Sequence, residues 1–297
     1  MARVVITGGS GMLGRGLIPA LLARHDSVAA FSRSEKGQLA LRAQYPDVEW
    51  RVGDVCDRGF LRTVFCAGDT VIHAAALKHV DLSERESEEY VRVNVEGTRN
   101  VMDAAREACC ERVIGISTDK ACEPRNVYGL TKLLMERMFA AARRGRYDVR
   151  FCCVRYGNVF GSDGSVVPRW REALARGERL TLTNPDMTRF FFRIGDAVHE
   201  VLWALSELAH GEVSMPQLHA ARLGDLAAAM GGEVVVTGLR AGEKRDEVLI
   251  SAHERAIAAL VEGRMVMGRG TSSRGAYESS SAPRLSVAQL RQWIGEL

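Results

Sequence analysis

From its first residues the chain alternates short runs of aliphatic and β-branched residues with stretches whose apolar positions recur every three or four places. The runs Arg3–Thr7, Ser27–Phe31, Val48–Val52, Thr70–His73, Arg112–Ser117 and Asp148–Arg155 predict strands. Amphipathic patterns near residues 12–24, 34–44, 57–66, 84–109 and 126–144 predict helices between them. Repeated β-α units of this length specify an α/β fold: a doubly wound parallel sheet with helices on both faces. Such a sheet takes its ligand beyond the carboxyl ends of the strands, where the strand order reverses.

After Arg155 the pattern loosens, and Gly157, Gly161, Gly164, Pro168 and Pro185 separate shorter elements. Helices are predicted near Pro168–Arg176 and Asp196–His210, and a strand near Glu233–Thr237. The stretch Gly268–Ala282 reads as a loop, and Ser286–Glu296 as an amphipathic helix capped by its serine. We read residues 1–155 as a nucleotide-binding core and 156–297 as mainly a smaller substrate-binding region, partly interleaved with it.

Composition narrows the function classes. Of the 297 residues, 46% are hydrophobic and 26% charged, the balance of a folded globular chain rather than a disordered one. No run of uncharged apolar residues is long enough to span a bilayer, and the first strand leaves no room for a signal peptide, so a cytoplasmic protein is expected. A net charge of +3 spread over 40 basic and 37 acidic residues leaves no footprint for nucleic acid. Only Lys36, Lys78, Lys120, Lys132 and Lys244 are lysines; every other cation is arginine. The two are not interchangeable, so these positions are candidates for chemistry that needs an ammonium. Seven cysteines without a C-x-x-C argue for reduced thiols, with Cys122 filling space. The histidine spacings give no reason to expect a metal.

The string Thr7-Gly8-Gly9-Ser10-Gly11-Met12-Leu13-Gly14 closes the first strand and opens the first helix. Glycines at 8, 11 and 14 allow a tight turn, close approach of a pyrophosphate, and packing of helix on strand. Gly8, Ser10, Gly11, Met12, Leu13 and Gly14 are therefore expected to bind a dinucleotide in a Rossmann fold. The second strand ends Phe31-Ser32-Arg33 where an NAD-specific fold usually has an acid. Arg33, with Ser32 and Lys36, favours the 2′-phosphate of NADP, and Asp54 and Val55 are placed beside adenine.

Tyr128 and Lys132 form Y-x-x-x-K, which puts phenol and ammonium on one helix face. The ammonium is expected to lower the tyrosine so that it takes a proton from an alcohol. Together the two motifs resemble the extended short-chain dehydrogenase/reductases. In that fold the fifth strand delivers a hydroxyl, here Thr118 by resemblance. Asp119 and Lys120 follow it and supply an acid and a base beyond what alcohol oxidation needs.

The chain resembles, more narrowly, the inverting UDP-N-acetylglucosamine 4,6-dehydratases of the polysaccharide-biosynthesis branch. The resemblance rests on HAAALKHV (73–80), NVEGT (94–98), STDKA (117–121), NVYGLTK (126–132), VRYGNVFGSDGSVVP (154–168), TLTNPDMTRF (181–190), TGLRAGEKRDEVLIS (237–251) and YESS near the C-terminus. Retaining 4,6-dehydratases have Asp-Glu in place of Asp119-Lys120. The resemblance implies a tightly held NADP recycled within each turnover, with Ala74, Ala75, Tyr128 and Lys132 beside it. Tyr128, supported by Lys132, would deprotonate the C4 hydroxyl as hydride leaves C4. Lys120 would then remove the C5 proton while Asp119 protonates the departing C6 hydroxyl. Hydride return to C6 and reprotonation on the opposite face of C5 would give a 4-keto-6-deoxy L-sugar nucleotide. A base must be neutral, so Lys120 is expected to have a depressed pKa.

Lys78, Asn158, Arg240 and Glu243 match positions that contact the sugar nucleotide, with Arg240 a diphosphate partner. A homo-oligomer is expected. The late motif reads R-A-G-E-K-R-D-E rather than R-P-G-E-K-L-H-E, residues 210–222 are compressed, and the N-terminal lead is short. The first two departures bear on specificity and the last on assembly. Two other readings stay open: a sugar-nucleotide 5- or 4-epimerase without net dehydration, and an NADP-binding sensor with no catalysis.

Overall fold

The computed structural model describes residues 2–142, 149–239, 242–270 and 275–297. Six strands build the first half: β1 (Arg3–Thr7), β2 (Ser27–Ser32), β3 (Glu49–Val52), β4 (Thr70–His73), β5 (Arg112–Thr118) and β6 (Arg150–Tyr156). They pair in parallel in the order β3-β2-β1-β4-β5-β6. Val213–Pro216 continues the sheet in parallel beyond β6, and Arg264–Met267 and Ala258–Val261 finish it antiparallel, making nine strands. The order reverses between β1 and β4, which sets a crevice at their carboxyl ends.

The helices α1 (Met12–Ala23), α2 (Glu35–Gln44) and α3 (Arg58–Val64) pack on this sheet. Leu17, Ile18 and Leu21 of α1 are fully buried, each worth about 1.5–3 kcal/mol of transfer free energy. Side chains of Ser34, Asp57 and Asn126 cap α2, α3 and the helix Val127–Ala141. α1 has no such cap and no acid in its first turn, so its amide groups face the crevice free.

The pattern over 84–109 forms a continuous helical run from Ser87 to Glu107, within which the segment Val91–Glu96 has wider turns. The wide turns release Asn94 to hold both backbone groups of Leu77, at 2.8 and 2.9 Å, and the Thr131 hydroxyl at 3.0 Å. The expected loop Gly268–Ala282 contains the short strand Tyr277–Glu278, which pairs with Val248–Ile250.

A second, smaller core sits over the carboxyl end of the sheet, built on Phe160, Trp170, Leu180, Leu226 and Leu290. Around it lie the three-stranded sheet of His219–Arg222, Thr188–Phe192 and Asn158–Val159, and the helices Val166–Ala175, Leu223–Met230 and Val287–Gly295. Most of these pieces are too short to leave a periodic signature. No helix among the described residues is long and apolar enough to cross a membrane.

Candidate active site

The glycine turn is built for close approach. Gly8 has φ +72°, and a Cβ there would lie 2.9 Å from the Ala75 nitrogen. A Cβ on Gly14 would lie 2.3 Å from the Gly9 carbonyl oxygen, so only glycine lets α1 start against the turn. Gly11, the N-cap, donates its amide to the Gly8 carbonyl at 2.9 Å. A compact turn ending in free helix amides suits a pyrophosphate.

Beneath the turn lies His73, which the motifs did not single out. Thr98 Oγ1 donates to the Asn94 carbonyl, so it accepts from His73 Nε2 at 3.1 Å. Nδ1 then accepts from Thr7 Oγ1 at 3.0 Å, and Thr7 in turn accepts from the Ala75 amide at 3.0 Å. Burial, reinforced by Lys132, pushes the ring down to about 3, so it is neutral. This buried relay ties β1 to the segment that carries Ala74 and Ala75.

A cavity of about 380 Å³ opens beside the turn, lined by Gly8, Ser32, Arg33, Asp54, Val55 and Ala75 among others. Ser10 and Ser32 join through their hydroxyls at 2.9 Å. Arg33 is half exposed and stands 4.0 Å from Asp54 and 3.9 Å from Glu89, a loose arrangement that leaves its guanidinium facing the cavity. Lys36 is exposed in the first turn of α2 and does not line this cavity. These residues fit a dinucleotide whose adenosine end lies toward Arg33.

At the end of β5, Thr118 Oγ1 donates to Asp119 Oδ1 at 3.0 Å, and Lys120 Nζ donates to the same oxygen at 3.1 Å. Tyr128 is buried against Thr118, with Lys120 as the cation acting on it. The other Asp119 oxygen is buried without a hydrogen bond among the described residues. Burial raises the Asp119 carboxyl despite Lys120, which suits it to carry a proton.

Two expectations are corrected here. Tyr128 is not lowered: burial takes it up to about 12, and the cation that opposes burial is Lys120. Lys132 instead donates to the Ile116 carbonyl at 2.8 Å, and burial brings it down to about 8. Nor is Lys120 depressed. Burial alone would lower it, but the carboxylates of Asp119 and Glu247 outweigh burial and Arg189 and hold it above an ordinary lysine.

Lys120 faces a second cavity, of about 610 Å³, which Lys78, Asn158, Glu243, Lys244 and Glu247 also line. Thr118, Asp119 and Tyr128 are buried next to Lys120 and are not among the lining residues. Asn158 donates to the Phe190 carbonyl at 3.0 Å, a side-chain bond within the small sheet. Lys78 is lowered by burial, against the pull of Asp163. Glu243 lies 3.5 Å from Arg189. Arg240 lies outside the described residues. Cys122 is buried, and its thiol donates to Glu254 at 3.1 Å.

Sequence reasoning missed Glu247 and Arg189, which close the cavity over Lys120. It also missed Arg155, which is fully buried and holds Glu136 on one side and Glu254 on the other through paired contacts of 2.6–2.9 Å. Arg155 thereby fastens the Val248–Ile250 region to β6 and to the helix that carries Tyr128. Each of these residues lay inside a quoted motif or strand, but no spacing rule pairs them.

The family model described as "Polysaccharide biosynthesis protein" matches residues 4–268. A UDP-N-acetylglucosamine 4,6-dehydratase (inverting) of Campylobacter jejuni is 37% identical over 260 residues, covering 84% of this chain and 78% of that protein. A UDP-glucose 4-epimerase of Rickettsia massiliae is 36% identical over 270 residues, covering 86% and 79%. Among solved structures, the X-ray structure of Pen from Bacillus thuringiensis superposes with a TM-score of 0.95 at 28% identity, over 100% of this chain and 98% of that one. Its fold and the family match over most of its length agree: the chain belongs to the polysaccharide biosynthesis protein family.

Proposed function

We propose that the chain is a lyase, an NADP-dependent sugar-nucleotide 4,6-dehydratase that acts on UDP-N-acetylglucosamine or a close analogue and inverts C5. The observation that carries this reading is the Asp119–Lys120 pair, hydrogen-bonded at 3.1 Å, with Lys120 at the wall of the large cavity and Tyr128 buried next to it. Oxidation or epimerisation at C4 needs one proton-transfer group; elimination of water across C5 and C6 needs an acid and a base as well.

Gly8, Ser10, Gly11, Met12, Leu13 and Gly14 would hold the pyrophosphate, Arg33 the 2′-phosphate, and Asp54 and Val55 the adenine. Arg33 supports NADP over NAD, since no acid occupies its place. When bound, the cofactor supplies a reversible hydride acceptor. Tyr128, as the phenolate that Lys120 favours against burial, would take the C4 hydroxyl proton, and Thr118 would orient it. Lys120 takes the proton from C5, acidified by the neighbouring ketone, Asp119 gives one to the C6 oxygen as it leaves as water, and a solvent-derived proton added to the opposite face of C5 inverts that carbon. The resting pair is an ion pair; moving one proton from Nζ to Asp119 along their hydrogen bond yields the required neutral amine and carboxylic acid without changing net charge. Residues 1–155 serve mainly the cofactor and 156–297 mainly the substrate. The enzyme works in the cytoplasm as a homo-oligomer.

Incubating the protein with UDP-N-acetylglucosamine in heavy water tests the proposal. The expected product has lost one water and carries deuterium at C5, and Lys120→Arg should abolish it while leaving NADP binding intact. Recovery of unchanged substrate sinks the reading. An isomer formed without loss of water would establish the epimerase alternative, which the similarity to the Rickettsia massiliae protein favours.

A further inference from the structure

Glu247 stands where the acid–base pair meets the cavity, and nothing in the mechanism above uses it. It is 3% exposed. Its Oε1 lies 3.3 Å from Lys120 Nζ and 3.7 Å from Arg189 Nε, and its Oε2, 3.9 Å from Lys244 Nζ, has no hydrogen bond among the described residues. Lys120 Nζ is thus bracketed by two carboxylates, Asp119 from its own segment and Glu247 from the strap before Val248–Ile250.

Burying a carboxylate carries a desolvation cost that well-placed cations offset, and this one is held firmly. The Glu247 amide donates to Ser279 at 2.8 Å, Lys244 donates to the Cys122 carbonyl at 2.6 Å, and the following strand is fastened by Arg155 through the Leu249 carbonyl at 3.0 Å. The fold therefore brings a fixed negative charge to the one nitrogen that has to give up its proton.

We propose that Glu247 is a positioning residue for Lys120: it fixes Nζ at the cavity wall beside Asp119 and sets how strongly that nitrogen keeps its proton. The functional significance rests on the dehydratase reading; the electrostatic claim stands without it. Glu247 stabilises the ammonium and so opposes proton transfer from Nζ to Asp119. Among the described residues, the charged and titratable groups around the pair include Arg189 and Lys244, which draw on Glu247, Glu243 beside Arg189, Lys78 on the same cavity, and Tyr128 beside Thr118. The same carboxylate keeps Lys120 from swinging out of reach of Asp119.

The scarcity of lysine makes the test direct. Labelling the full chain with ¹³C at lysine Cε gives five signals to follow with pH, from Lys36, Lys78, Lys120, Lys132 and Lys244. Lys120→Arg identifies the signal of interest. In the wild-type protein Lys120 should stay protonated beyond the range of an ordinary lysine, about 10.4. Glu247→Gln, which keeps the shape and removes the charge, should lower its midpoint by about 1–3 pH units, and Glu247→Asp should restore most of that. Lys132, buried elsewhere, should titrate near 8 in both, which reports that the fold is intact.

A wild-type Lys120 that titrates below the ordinary lysine range overturns the proposal by itself, even if the glutamine variant fails to fold. So does an unmoved Lys120 in a folded variant. Where turnover is measurable, the rising limb of kcat/KM against pH should move to lower pH in Glu247→Gln; a uniform loss with an unmoved limb also overturns it. Failure of the dehydratase reading would appear separately, as a wild-type protein that returns the sugar nucleotide unchanged while the lysine titration still reports on Glu247.

Discussion

Replacing His73 with glutamine removes a titrating ring from beneath the glycine turn but keeps one acceptor for Thr7 and one donor for Thr98. In the folded protein the ring holds its neutral form down to about pH 3, whereas in the unfolded chain it takes up a proton near 6.5. Between those values the unfolded state binds the extra proton, so stability is lost as pH falls below 6.5. At pH 5 the gap from 6.5 is 1.5 units, and at 1.36 kcal/mol per unit this costs the wild-type protein about 2 kcal/mol relative to neutral pH. Carboxylates such as Asp119 and Glu247 contribute to acid sensitivity in both proteins and cancel in the comparison. Urea unfolding followed by circular dichroism at pH 7 and pH 5 measures the effect. The wild type should lose about 2 kcal/mol more than His73→Gln over that interval. Equal losses would refute the neutral, fully enclosed ring, and with it the relay that fixes Ala75 against the turn.

Three further outcomes are expected. Tyr128→Phe removes the hydroxyl set against Thr118, and turnover at saturating cofactor should fall about 10²–10⁴-fold. Arg33→Ser should reduce the preference for NADP over NAD by about tenfold or more, roughly 1.4 kcal/mol, mainly by weakening NADP; an unchanged affinity ratio would remove Arg33 from the 2′-phosphate site. Arg155→Met leaves Glu136 and Glu254 buried without their shared cation and should cost about 3–5 kcal/mol, read as a lower urea midpoint. An unaltered midpoint would mean that these carboxylates find water or another partner.

The parallel sheet, the glycine turn and the helix bearing Tyr128 and Lys132 were legible from the order of the residues. Apolar runs, turn glycines and i, i+4 spacing are local signals that survive without tertiary context. β1 and β4 lie where their apolar runs predict, and the turn at Gly8 forms because only glycine tolerates both its φ and its contact with Ala75. The layer over the active site was far less legible. Strands such as Thr188–Phe192 and Val248–Ile250 are too short for periodicity, and the wider turns of Val91–Glu96 have no signature in the helical pattern that contains them.

The charge states depend on contacts that exist only in the folded chain. Spacing placed a phenol beside an ammonium and a base beside an acid, and predicted both groups lowered. In the folded chain Tyr128 is raised by burial, Lys132 turns to a backbone carbonyl, and Lys120 is held as an ammonium by Asp119 next to it and Glu247 far along the sequence. A proton affinity depends on every charge within a few ångströms and on the water excluded around it. Neither quantity is defined until residues distant in sequence, here Glu247 and Arg189, are folded against the end of β5.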